Sequence, residues 1–157
     1  MYVPDNVDGV AFAVPVSSAV QAAHGSFTAR PAEAGALQQA VDVIQQETRP
    51  GDPVLLAPQL TALYVMTDRR DPLRQLSLLP GSLATTADEQ RAIARMGQVR
   101  VVVTDRTPLA SYGHGAFGTT FDQTLAAWVR RDFRLAKTVR GTGADARTLD
   151  IWIRSSP

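Results

Sequence analysis

The chain contains no cysteine. Disulfides, thiolate metal sites and thiol nucleophiles are therefore excluded. Lysine occurs once, at Lys137, and arginine supplies the other basic residues; with the abundant alanine this reads as a GC-rich coding bias rather than a chemical signal. Charge of one sign is also lacking. Sixteen basic residues against fifteen acidic leave a net charge of +1, too small an excess for the electrostatic footprint of a nucleic-acid binder. No nucleic-acid partner is expected. No apolar run approaches the roughly 20 residues needed to span a bilayer. The opening MYVPDNVDG lacks the basic start and apolar stretch of a signal peptide. The chain thus reads as a cytoplasmic protein or as a piece of a longer one. Pro4, Asp5, Asn6 and Gly9 crowd its start, so residues 1–9 read as a linker ahead of one domain over 10–157.

What is present suits a globular domain. Apolar residues make up 45% of the 157 and charged residues 20%, enough apolar material for an ordinary core. Val10–Val16 alternates like a strand, although Pro15 confines it to an edge. Pro31 is a good first helical residue, with Thr28 as its expected cap. Leu37, Ala40, Val41 and Ile44 then form one stripe of an amphipathic helix over Ala32–Thr48. Pro50-Gly51-Asp52-Pro53 predicts a turn. The all-apolar Val54–Ala57 predicts a central parallel strand. Leu60–Thr67 predicts a helix and Asp71–Thr86 an irregular loop. Thr86, with Glu89 three residues on, has the form of a capping box opening a helix through Met96. Val99–Thr104 is the strongest strand signal. Phe121–Phe133 reads as a helix that turns Leu125, Trp128 and Val129 inward. Arg134–Arg140 and Thr148–Arg154 read as an antiparallel hairpin around a turn at Gly141–Ala146. The fold class expected is α/β, with a small, mostly parallel (mixed) sheet flanked by helices, Rossmann-like layering and a C-terminal antiparallel hairpin.

The sequence offers fragments of chemistry and no complete active site. GHGAFG, Gly113–Gly118, matches G-x-G-x-x-G. It lies eight residues beyond the preceding strand, and no acidic residue ends the next strand to hold a ribose. The bland reading is a glycine loop capped into a helix by Thr119 or Thr120. His24 and His114 stand 90 positions apart without carboxylates at ligand spacing, so no metal or other cofactor is expected. Ser111 with His114 is a weak hydrolase signal, and Ser17-Ser18 lacks the G-x-S-x-G elbow. Asp68, Asp71 and Asp105 could converge at the carboxyl edge of a parallel sheet, where such folds hold ligands; aspartate after a strand is also an ordinary turn former. Trp128 and Trp152 read as core packing. Arg130-Arg131-Asp132 reads as a solvated helix end.

An ordered set of motifs carries more information. RPGDPVLLAP at Arg49–Pro58, LYVMTDRRDP at Leu63–Pro72 and LLPG at Leu78–Gly81 come first. VRVVVTDR at Val99–Arg106, SYG at Ser111–Gly113 and LAAWVRRDF at Leu125–Phe133 follow. In order and spacing over about Pro31–Phe133 this series resembles the C-terminal soluble portion of bacterial membrane glycosyltransferases similar to the dolichyl-phosphate-mannose–protein mannosyltransferases. The sequence departs from that pattern at Asp68, where the family often has Gly, and at Asp71, where it often has Asn. The resemblance implies a parent enzyme with many membrane helices that takes sugar from a polyprenyl-phosphate donor outside the cytoplasm. Its catalytic acid would lie in a loop outside this chain. The chain itself would be an extracytoplasmic accessory domain, non-catalytic alone, that packs on the membrane domain of its parent or binds acceptor glycan or a lipid-phosphate.

Under that reading Arg69, Arg70 and Arg74 are ligand-binding candidates for phosphate, carboxylate or lipid headgroups, together with Asp68, Asp105 and His114. Internal ion pairs with Asp68, Asp71 or Asp105 are the alternative for the arginines. Tyr64 is expected to be buried. Two further readings stand beside the first. One is a free-standing small-ligand or nucleotide-binding α/β domain, with its pocket at the ends of Val54–Ala57 and Val99–Thr104 and lined by Asp105 and Gly113–Gly118. The other is a structural module that associates through an exposed apolar patch.

Overall fold

A computed structural model describes residues 17–143 and 146–155. The strand expected at Val10–Val16, the linker over 1–9 and part of the turn at Gly141–Ala146 lie outside the described residues. Among the described residues a hairpin, β1 (Ser18–Ala22) and β2 (Gly25–Ala29), precedes the long helix α1 (Pro31–Glu47). Next come β3 (Leu55–Ala57), the short α2 (Ala62–Thr67), a long irregular stretch, α3 (Thr86–Arg95) and β4 (Val101–Asp105). A 3-10 turn at Ala110–Tyr112 leads to α4 (Gln123–Asp132), β5 (Phe133–Arg140) and β6 (Thr148–Arg154).

The main sheet has the order β3-β4-β6-β5. β3 and β4 run parallel, while β4–β6 and β6–β5 are antiparallel. The fold is therefore α/β with a mixed sheet, and its parallel part is the single β3–β4 pair. β5 and β6 form the expected C-terminal hairpin, with a register shift between Leu135 and Lys137.

Both faces of the sheet are covered, which explains why β3 and β4 are apolar without alternation. Leu56, Val101, Val103, Leu149 and Ile151 face α1 and α2, with Ala40, Val41, Ile44 and Leu63 opposite them. Leu55, Ala57 and Val102 face the other way, against Met96, Leu125, Trp128 and Val129 beside α3 and α4. The result is a three-layer arrangement. The stripe read on α1 is correct at Ala40, Val41 and Ile44, which are fully buried, while Leu37 is only partly so.

Four local expectations are corrected. β3 is an edge strand rather than a central one. Its outer flank is closed by chain instead of by a strand: Val54 N–H donates to Arg70 C=O (3.1 Å), Arg70 N–H to Asp52 C=O (3.2 Å), and Leu78 N–H to Pro58 C=O (2.9 Å). The capping box sits one residue earlier than read. Thr85 Oγ1 accepts from Asp88 N–H (3.2 Å), and Asp88 Oδ2 accepts from Thr85 N–H (3.0 Å). Thr28 belongs to β2; Arg30 occupies the N-cap of α1 with no side-chain cap, and Pro31 follows as expected. The β1–β2 hairpin was missed. Its loop is the two residues Ala23 and His24, closed by Gly25 at φ +131°. Because β2 is exposed along most of its length, it carries no alternating apolar signal.

Candidate functional site

The expected arginine site divides once folded. A strand of three residues and a helix of six have similar lengths, about 10 Å each. α2 thus returns the chain from the carboxyl end of β3 to its amino end. Asp68, Arg69 and Arg70 gather there: Gly51 N–H donates to Asp68 C=O (2.8 Å), and Arg70 bridges Pro53. Asp105 ends β4 at the opposite edge of the sheet. Asp68, Asp71 and Asp105 therefore do not converge.

Arg69 is turned inward and is 7% exposed. Its Nε donates to Thr48 Oγ1 (2.9 Å), Nη2 to Thr48 C=O (2.5 Å) and Nη1 to Thr67 C=O. It ties the end of α1 to the end of α2, and burial draws its pKa down. As a ligand contact it is corrected: its donors are spent on backbone that would otherwise be orphaned. Arg70 is exposed and donates to Gly51 C=O (3.1 Å). Arg74 is exposed in the long loop. Asp68 caps α2 in the left-handed region, at φ 56°, and faces His24 Nε2 at 3.4 Å. Asp71 Oδ1 accepts from Leu73 N–H (2.8 Å), its buried Oδ2 has no hydrogen-bond partner among the described residues, and burial raises its pKa. Tyr64 is buried as expected; its oxygen accepts from Leu56 N–H (3.3 Å), and burial with the Asp71 charge raises its pKa well above the ordinary value. These are the bonds of a packed joint.

The glycine loop is equally self-contained. Gly115 N–H donates to Thr120 Oγ1 (3.0 Å), Gly118 N–H to Phe121 C=O (3.1 Å) and Thr119 N–H to Ala116 C=O (3.0 Å). Those amides cannot also cradle a pyrophosphate. The glycines serve packing: a Cβ at Gly115 would lie 2.5 Å from Thr119 Oγ1, and one at Gly118, at φ +77°, would collide with Ala126 of α4. His114 is part of this scaffold, with Nδ1 3.2 Å from Thr120 Oγ1 and its ring edge-on to Phe121. Its imidazole is thus engaged by Thr120 and not by Ser111.

A pocket of about 320 Å³ opens beside this loop, at the carboxyl end of β4. Asp105 and Arg106 close the strand end, Phe117 and Thr119 come from the loop, Val129 and Arg130 from α4, and Asp150 and Trp152 from β6. Two buried carboxylates are neutralised in place. Asp150 receives Arg106 Nε (2.6 Å) and Nη2 (2.8 Å) as a fork, with Thr138 Oγ1 at 2.6 Å. Asp105 Oδ1 accepts from Thr107 N–H (2.8 Å) and Oγ1 (2.6 Å), and its Oδ2 lies 3.4 Å from Arg147. Trp152 is half-buried, and its indole N–H donates to Thr104 Oγ1 (3.0 Å), which fixes the ring beside the end of β4. Of the candidates named from sequence, Asp105 lines this pocket. Ala116 and Phe117, from the expected Gly113–Gly118 lining, do so too, while Arg106, Thr119, Arg130 and Trp152 were not singled out for it. β6 alternation could place Trp152 opposite Ile151, but no sequence signal shows a gap between α4 and the strand end.

Beside the loop lies a second polar feature. Asp122 precedes α4 at φ 49° and is 4% exposed, and neither carboxylate oxygen has a hydrogen-bond partner among the described residues. The neighbouring Glu89, also buried, accepts from Leu125 N–H (2.6 Å) and so caps α4 from α3. Desolvation, then the Glu89 charge, pushes Asp122 up to about 7.

No helix among the described residues is long and apolar enough to cross a membrane, and no group of three or more acidic or histidine side chains is placed to hold a metal. No protein-family model, curated protein or solved structure is significantly similar to the chain.

Proposed function

We propose that this chain is a non-catalytic recognition domain that binds a saccharide in the pocket at the carboxyl end of β4. In this reading it serves as the extracytoplasmic accessory domain of a polytopic membrane glycosyltransferase that draws on a polyprenyl-phosphate sugar donor. Acceptor recognition is its task. The ordered motifs from Arg49 to Phe133 support the parentage, and one structural observation supports the ligand. A half-buried indole, held by its own hydrogen bond, lies beside an Arg–Asp fork and a threonine hydroxyl in a pocket of about 320 Å³. That volume is at the small end of ligand sites and suits a single ring. An apolar face with fixed polar groups at its margin matches a sugar, whose C–H face and hydroxyl rim differ in the same way.

A second reading, a small-ligand or nucleotide domain, is favoured by the same location, since the carboxyl edge of a parallel pair is where such folds bind. The internally spent amides of the glycine loop weigh against nucleotides. Chemical-shift titration of the labelled protein with mannose, glucose and AMP separates the two. Saccharide binding is expected to move the Trp152 indole resonance and to be lost in Trp152→Ala. Shifts with AMP alone would replace the saccharide reading with the nucleotide one.

A further inference from the structure

The charges around the pocket are not equally committed. Arg106 is forked onto Asp150, and Arg147 stands between Asp105 (3.4 Å) and Glu33 (3.5 Å). Both buried carboxylates of the pocket thus have their counter-charge in place. Arg130 differs. It projects from the last turn of α4 to line the pocket, and no hydrogen bond or ion pair engages its guanidinium among the described residues. The neighbouring Arg131 is by contrast bonded to Asp132 (2.6 Å). Gly118 lets the loop pack closely onto Ala126, one turn earlier in α4. A planar cation with its donors free, beside an apolar wall of Phe117, Val129 and Trp152, is arranged to meet an anion attached to a compact ring.

We infer that the saccharide bound here carries one anionic group, a carboxylate or a phosphate, and that Arg130 receives it as a two-toothed fork. The inference rests on the saccharide reading above and narrows it to acidic sugars. The indole and the Arg106–Asp150 edge hold the ring, and Arg130 adds a charge-assisted contact that a neutral sugar cannot make. Because the site is open to solvent, that contact is sensitive to salt.

Isothermal titration with glucose, glucuronate, glucose 6-phosphate and inorganic phosphate, each at low and at 0.5 M salt, tests it. Glucuronate and glucose 6-phosphate are expected to bind about tenfold tighter than glucose at low salt, as one charge-assisted contact implies. Added salt should erase the difference. In Arg130→Gln the acidic sugars should lose their advantage over glucose, with the thermal midpoint unchanged. Arg130→Lys should recover part of the advantage. If glucose binds as tightly as the acidic sugars, or Arg130→Gln leaves their affinities unchanged, the anionic specificity is overturned while the saccharide reading stands. Phosphate binding as tightly as glucose 6-phosphate would show a bare anion site and overturn it as well. No binding of any sugar would overturn both.

Discussion

At the scale of single residues the strongest tension lies at Asp122. A carboxylate buried without a hydrogen-bond partner is costly in its charged form, and the adjacent Glu89 adds like-charge repulsion. In the unfolded chain Asp122 titrates near the ordinary value of about 3.9; in the fold it titrates at about 7. A raised carboxyl pKa means that its protonated form stabilises the fold below about pH 4, and that this contribution is lost as pH rises through 7. Asp122→Asn keeps the size and the tolerance of a positive φ but removes the charge. It is expected to flatten the fall in stability between pH 4 and 8, on the order of 3 kcal/mol in the native chain. Urea unfolding of both proteins at those two pH values measures this, and parallel pH profiles would refute it. Arg69 teaches the converse. LYVMTDRRDP looks like a run of surface charge, yet its first arginine points inward, because the carbonyls of Thr48 and Thr67 at two helix ends need donors.

At the scale of elements, the segment Gly113–Asp122 explains itself as a wall. The amides of Gly115, Gly118 and Thr119 bond within the loop, its glycines admit Thr119 and Ala126, and its Phe117 and Thr119 line the pocket. The G-x-G-x-x-G match is thus legible as glycine and illegible as function. What distinguishes a phosphate cradle from a packed loop is where the N–H groups point, and spacing does not encode that. Gly118→Ala places a side chain at φ +77° and against Ala126. It should destabilise the protein by about 2 kcal/mol or more and displace the loop, so that the thermal midpoint falls and, on the proposed saccharide reading, sugar affinity falls with it. A variant with an unchanged melting curve would show that the loop is not packed on α4 in this way. The helices α1 and α4 were legible because each buries one stripe. The β1–β2 hairpin was not, because Val20 is its single fully buried side chain and β2 is mostly exposed.

At the scale of the whole molecule, the two apolar clusters share one sheet. Val101 and Val103 belong to the face under α1, and Val102 to the face under α3 and α4. Neither cluster can be lost without stripping β4, so unfolding is expected to be one transition. In hydrogen exchange β4 amides should be the last to exchange, and those of the exposed β1–β2 hairpin among the first. Separate melting of the two helical layers would contradict this and divide the chain into two units. The sequence by itself determined the α/β class, the apolar β3 and β4, the inward faces of α1 and α4, and the terminal β5–β6 hairpin. Those features follow from local periodicity, which needs only neighbours in the chain. Tertiary structure alone decided which side chains meet at each edge of the sheet. α2 returns the LYVMTDRRDP segment to the amino end of β3, while Asp105, Arg106, Arg130 and Trp152, far apart in sequence, meet at the carboxyl end of β4. That choice depends on the path of the chain between elements, and a pocket is the space those elements fail to fill.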